Sequence, residues 1–218
     1  MKTALVFGSS GLIGTHLLNE LIQSDNYRKI KLFVRSDPEN NNSKFEIIKT
    51  DFNNLDNHKE DIKGDDCFFC IGTTKQNSPD KNEYKRVELD VPKKIAQIAK
   101  SNLVNSFVFV SSGYADPNSS GDYLKFKGLV EEELKRLSFS KLGIMRPSFL
   151  MGDRKEKRVG EKVGIFIFKL LSPLFLGPLK KMKPIHSKKV AKAMIKITNG
   201  DFKQNVFESN EIVEVSNS

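Results

Sequence analysis

An α/β fold built on a doubly wound, mainly parallel sheet is the class this sequence predicts, and three observations predict it. Short apolar runs of strand length recur at 4–7 (ALVF), 30–34 (IKLFV), 45–48 (FEII), 66–71 (DCFFCI), 106–110 (SFVFV) and 142–145 (LGIM). Stretches with helical apolar spacing lie between several of them, the alternation that a parallel sheet needs for its crossovers. The first run breaks into Gly8, Gly11 and Gly14 at three-residue spacing ahead of a helix, the form of a nucleotide-binding turn. A chain of 218 residues has room for one such domain with a core of its own.

The opening stretch TALVFGSSGLIG reads as strand, tight turn and helix, with Leu17, Leu18, Leu21 and Ile22 recurring at helical period. Such a turn leaves backbone N–H groups unpaired at a helix N-terminus, where they and the helix dipole hold a pyrophosphate. The candidates are Gly8, Ser9, Ser10, Gly11, Leu12, Ile13 and Gly14. One glycine makes the turn, one lets the phosphate approach, and one lets helix and strand pack closely. The plain alternative is a glycine-rich turn without a ligand. The second run ends at Arg35, 21 residues after Gly14. An acid there would take the ribose 2′-hydroxyl of NAD, and a cation the 2′-phosphate of NADP. A guanidinium grips phosphate with two hydrogen bonds and stacks on adenine, so Arg35 favours NADP(H), with Asp37 near enough to keep NAD(H) as the alternative. The polar run 37–43 (DPENNNS) is a surface loop. The third strand leads to Asp51 and Phe52, where an adenine ring would lie.

Cys67 and Cys70 form a CxxC, but within a strand, residues three apart point to opposite faces, so the two thiols cannot share a metal or a bond. Gly72, Thr73 and Thr74 then turn the chain beside the cofactor. Residues 80–100 read as a helix with Val87, Val91, Ile95, Ile98 and Ala99 on one face, and Pro92 calls for a break or kink within it. The fifth strand, 106–110, delivers Ser111, Ser112 and Gly113. Eleven residues past Ser112 comes Tyr123, then Lys127, and positions i and i+4 of a helix share a face. A phenol titrates near ~10 in water, and a neighbouring cation brings it toward working pH as a proton donor or acceptor. A shift of ~2 to 3 units asks about 3 to 4 kcal/mol of the site. A serine hydroxyl alongside would hold the substrate oxygen. Taken alone, Tyr-x-x-x-Lys is more often an exposed helix face; behind a nucleotide fold and a Ser-Ser strand end, it reads as catalytic.

The order GSSGLIG, LFVR, DF, CIGTT, FVFVSS, YLKFKGLVEEEL and IMRPS resembles the short-chain dehydrogenase/reductase superfamily. More narrowly it is similar to the atypical branch that includes the Tat-interacting-protein-like oxidoreductases, from Thr3 to about Ala193. The resemblance implies a Rossmann sheet with NADP(H) at Gly8, Gly11, Gly14 and Arg35, and a catalytic set of Ser112 (or its neighbour Ser111), Tyr123 and Lys127. It implies that Tyr123 exchanges the proton with the substrate oxygen while Lys127 holds the nicotinamide ribose and lowers the tyrosine pKa. Arg146, Pro147 and Ser148 resemble the family's substrate-side wall of the nicotinamide pocket. The helix asparagine of many members is replaced near Asp90. The implied reaction is NADP(H)-dependent reduction of a carbonyl or oxidation of an alcohol. A cofactor-binding redox sensor or interaction module without turnover is the rival class, and a sugar-nucleotide epimerase a third reading that the short C-terminal part argues against.

The chain carries a net charge of +9, and the segment 153–196 holds 13 Lys and Arg against three acidic residues. With its apolar run 163–179 (VGIFIFKLLSPLFLGPL) it reads as a small cap roofing an apolar pocket at the sheet's carboxyl edge, within a single domain spanning 1–218. Lysines outside that roof would be solvated; sharper readings are contact with an anionic membrane surface, or an anionic substrate or partner. No aromatic-basic interleaving suggests nucleic acid. No apolar run reaches the ~18 residues of a membrane span. His16 and His58 read as structural or solvated, and His186 resembles a family position near dinucleotide and cap. No metal cluster is expected. Two cysteines and no signal peptide point to the cytoplasm, and both a monomer and a homodimer are compatible with the sequence.

Overall fold

In the computed structural model, residues 1–38, 41–152 and 183–218 are described. The sheet has seven parallel strands in the order β3-β2-β1-β4-β5-β6-β9. Its strands are β1 (Lys2–Phe7), β2 (Tyr27–Val34), β3 (Phe45–Lys49), β4 (Asp66–Phe69), β5 (Ser106–Val110), β6 (Lys141–Arg146) and β9 (Val206–Glu208). The helices are α1 (Leu12–Gln23), α2 (Lys81–Lys85), α3 (Val91–Ser101), α4 (Asp122–Leu137), α5 (Ser187–Asn199) and α6 (Ser209–Asn217). A short parallel pair, β7 (Leu150–Met151) with β8 (Ile185–His186), stands apart from the main sheet.

Strand β1 lies at the centre, and its side chains divide with period two. Leu5 and Phe7 enter a core with Phe69, Phe107 and Phe109 beneath α3 and α4, whereas Ala4 and Val6 enter a second core with Leu32, Phe68 and Val108 beneath α1 and α5. Burial on both faces is why β1, β4 and β5 read as nearly unbroken apolar runs. The two cysteines follow the same alternation: Cys67 belongs to the first core and Cys70 packs against the second.

Three features were not resolved by the sequence pattern. The run 80–100 divides into α2, a wide π turn at Arg86–Asp90, and α3, whose first turn contains Pro92. The ring lacks an N–H and crowds the carbonyl four residues before it, and the wider turn absorbs both. A seventh strand and a final helix follow residue 205, with Glu208 and Glu211 closing a capping box on α6. Most of the segment 153–196 lies outside the described residues. Its described end, from residue 183, runs into α5, which packs against α1, β5 and β6 and so belongs with the framework of the sheet.

Candidate functional site

The chain winds outward from β1 to β3 and then returns to place β4 on the other side of β1, so the crevice between the β1 and β4 carboxyl ends is the switch point where open α/β sheets take ligands. The loops after these two strands meet there. Gly8 has a φ of +88°, and a Cβ on it would stand 2.8 Å from the Cys70 carbonyl carbon and the Ile71 nitrogen. Gly14, buried in the first turns of α1, leaves no space at all: a Cβ would sit 2.0 Å from the Gly8 oxygen. Gly11 is the N-cap of α1, offers no side chain to the first N–H groups, and no acidic residue lies in that turn. Those donors are therefore left for an anion.

A cavity of about 600 Å³ opens from this turn. Of the predicted residues it is lined by Gly8, Ser9, Ser10, Gly11, Arg35, Asp51, Phe52, Gly72 and Thr73, along with Glu83 and Arg86, which the sequence does not single out, and Val87, which it places only on an apolar helix face. Leu12, Ile13 and Gly14 sit behind the lining in α1, with Ile13 and Gly14 buried, and Thr74 lies just past it. Arg35 is exposed and makes no ion pair among the described residues, whereas Asp37 is held by Lys49 at 2.8 Å. Phe52 adopts a φ of +64°, with its N–H donating to the Thr50 hydroxyl. Asp51 accepts from the Asn53 backbone and side chain, and these bonds hold its carboxyl below the usual range. Arg86 grips Glu83 through two nitrogens, at 2.7 and 2.8 Å, and donates to the Phe52 carbonyl.

The acid-base candidates stand on β5 and α4. Gly128 brings the connecting loop onto the helix: a Cβ there would lie 2.3 Å from the Pro117 nitrogen. Ser112, half-buried at the end of β5, donates to the Gly113 carbonyl at 3.3 Å. Tyr123 is 38% exposed, and the Lys127 ammonium lies 5.9 Å from its ring centroid. Lys127 itself is buried, donates to the Val110 carbonyl at 3.2 Å, and sits 4.8 Å from the centre of the Phe109 ring. Its partner is Glu88, at 3.0 Å, on the π turn. Burial pulls the lysine pKa down, but the charges of Glu88, Tyr123 and Glu131 together hold it above its ordinary value.

Several predicted residues serve a different purpose. The Ser111 hydroxyl turns away from the crevice to donate to Glu131. Arg146 is clamped by the same carboxylate at 2.6 and 2.9 Å, and also reaches Glu208 and the Ala115 carbonyl, so its guanidinium is committed to the framework. Pro147 accepts the Gly113 N–H, and Ser148 bonds Ser209 and the Lys183 carbonyl; this turn braces the Ser112 loop. Asp90 is exposed on Lys85, and the acid that reaches the lysine is Glu88, two residues earlier. His186 caps α5 by accepting the Lys188 N–H and lies 5.8 Å from the His16 ring, while His58 pairs with Asp61.

Residues 8–200 match the family model described as NAD(P)H-binding. The chain is 34% identical to protein HTATIP2 of Rattus norvegicus over 166 residues, covering 73% of this chain and 67% of that protein. It is 30% identical to the mitochondrial protein FMP52 of Eremothecium gossypii over 221 residues, 97% and 96% of the two chains. Among solved structures, the UDP-N-acetylglucosamine 4-epimerase of Methanobrevibacter ruminantium superposes with a TM-score of 0.71 at 20% identity, over 98% of this chain and 80% of the epimerase. The Bordetella bronchiseptica enzyme WbmH, in complex with NAD+, gives 0.73 at 17% identity, over 100% and 80%. At such identities the likeness is one of fold. The expectation of a cytoplasmic protein is corrected by the FMP52 relatives, whose names place them in the mitochondrion. A glycine turn close-packed at the switch point of the sheet, and a match covering most of the sequence, lead to one assignment: the chain belongs to the NAD(P)H-binding proteins of the atypical short-chain dehydrogenase/reductase branch that includes HTATIP2 and FMP52.

Proposed function

We propose that this protein is an NADP(H)-dependent oxidoreductase that reduces a carbonyl, or oxidises the corresponding alcohol, with Ser112, Tyr123 and Lys127 as its working side chains. The observation that carries the reading is the Tyr123–Lys127 face of α4: a solvent-reaching phenol one helical turn from a buried lysine that remains charged. A charged lysine beside a phenol favours proton release and return at that oxygen.

The turn at Gly8–Gly11 would hold the pyrophosphate, Arg35 the 2′-phosphate, and Asp51 and Phe52 the adenine end. When bound, the dinucleotide supplies the hydride that goes to the carbonyl carbon. Ser112 would hold the carbonyl oxygen, and the Tyr123 hydroxyl gives that oxygen its proton as charge develops there. The Lys127 ammonium steadies the phenolate left behind and holds the ribose hydroxyls; in the alcohol direction the proton returns to Tyr123. Arg35 supports NADP(H) over NAD(H) because it makes no ion pair among the described residues, while the nearby Asp37 is occupied by Lys49. The names of the FMP52 relatives support a mitochondrial setting.

The test is to load folded protein with NADPH and screen carbonyl compounds for loss of nicotinamide absorbance. Reduction of any of them at a rate well above the protein-free rate is the expected result. If the loaded protein reduces none, the reading gives way to a cofactor-binding protein without turnover.

A further inference from the structure

We propose that Glu88 is a positioning residue for Lys127: it keeps the buried lysine a cation and fixes it against the Thr73 side of the cofactor crevice. This rests on the reading that Lys127 serves the bound dinucleotide. Both side chains are withdrawn from solvent, 0% exposed for Glu88 and 4% for Lys127, and Glu88 Oε2 stands 3.0 Å from the ammonium in a contact that is ionic rather than an aligned hydrogen bond. Glu88 Oε1 accepts the Thr73 N–H, in the loop after β4 that lines the crevice. One carboxylate thus joins the α4 lysine to the cofactor loop.

The surroundings leave this task to Glu88. On α4, Glu131 also faces the lysine but is spent on Arg146 and Ser111, and Tyr123 presents a phenol. Just past β4 comes Cys70, whose thiol burial pushes up to about 12, and Tyr84 on α2, its phenol likewise raised by burial to about 12, faces both Glu88 and Tyr123. From β5 come only the Val110 carbonyl and the Phe109 ring. Glu88 is the one carboxylate in contact with the ammonium among the described residues. A buried lysine without a counter-charge sheds its proton. Within the wide turn at Arg86–Asp90, Glu88 is buried and faces the lysine, whereas Asp90, two positions later, is exposed.

The test is NADPH affinity, read by nicotinamide fluorescence from pH 6.5 to 10, for wild type, Glu88→Gln and Glu88→Asp. Wild-type affinity should hold into the alkaline range. Glu88→Gln should lose tenfold or more, with a midpoint lower by about 2 units or more, the range seen for buried lysines. Glu88→Asp should restore the wild-type profile at weaker overall affinity. A Glu88→Gln profile parallel to wild type, however much weaker, overturns the proposal, since a merely structural loss acts equally at every pH. Should Glu88→Gln not fold, the double variant Glu88→Gln/Lys127→Met must regain a cooperative melt because no unpaired charge remains; a double variant as unfolded as the single also overturns it. Turnover is not used. A wild type that binds NADPH with this profile but reduces no carbonyl supports the Glu88 assignment and ends the oxidoreductase reading; a wild type that binds no dinucleotide ends both.

Discussion

Adding one methyl group at Gly14 and, separately, at Gly11 divides what the glycine turn does for the fold from what it does for the cofactor. At Gly14 the new Cβ would face only backbone, 2.0 Å from the Gly8 oxygen and 2.9 Å from Ser9 Cα. Ordinary contact begins at 3.4 Å, so α1 and the turn must part by about 1.4 Å. Overpacking of this kind costs ~1–3 kcal/mol, and replacing a helical glycine returns up to ~1 kcal/mol. Gly14→Ala should therefore lose roughly 0–3 kcal/mol, a melting temperature lower by up to ~12 °C at ~2–4 °C per kcal/mol. The shifted N–H groups should also weaken NADPH binding by about tenfold or more. At Gly11 the φ of −76° suits any residue, and the only close neighbour, the Gly8 oxygen, is at 3.4 Å. Gly11→Ala should melt as wild type does, but its methyl would stand in the crevice where the proposed binding mode puts the pyrophosphate, again costing tenfold or more in affinity. Differential scanning calorimetry and fluorescence titration read the two effects. A folded Gly11→Ala that binds NADPH as wild type does would refute the placement of the pyrophosphate.

Arg35→Asp should reverse or abolish a preference for NADPH over NADH by removing a charge-assisted contact worth ~1.5–3 kcal/mol, or roughly tenfold to over a hundredfold; equal wild-type dissociation constants for the two by calorimetry would contradict this. In acid, the hydrogen bonds from Arg136 and Gln97 hold Glu133 at about 2, below its ordinary 4.5, so its contribution to stability is present above 4.5 and is lost as pH falls toward 2. Melting temperatures measured between pH 5 and 2 should fall less steeply in Glu133→Gln than in wild type, and identical slopes would show that the carboxylate contributes nothing.

The framework was legible because β1, β4 and β5 are buried on both faces over nearly unbroken apolar stretches, and because the turn needs glycine at Gly8 and Gly14 for steric reasons that leave a mark in the sequence. β9 and α6 were missed because a three-residue edge strand carries almost no periodic signal. The acids that organise the site were missed for another reason: glutamate reads as a surface residue unless its position is weighed. Glu88 heads the stripe completed by Val91, Ile95 and Ile98, and Glu131 lies one turn after Lys127 and next to Val130, so an acid set in an apolar face was the available signal. Ser111 and Arg146 read as site residues in the sequence because they stand at strand ends on the right edge of the sheet. Their commitment to Glu131 depends on a pairing across the fold that no local pattern displays.

Whether Tyr123 passes the proton is decided by single-turnover reduction of an identified carbonyl by NADPH-loaded wild type and Tyr123→Phe. The phenyl ring keeps the packing of α4 and removes only the hydroxyl, so NADPH should bind with unchanged affinity while the rate falls by about 10²- to 10⁴-fold, the worth of a placed proton donor. A Tyr123→Phe protein that reduces the same carbonyl at the wild-type rate would contradict the assignment.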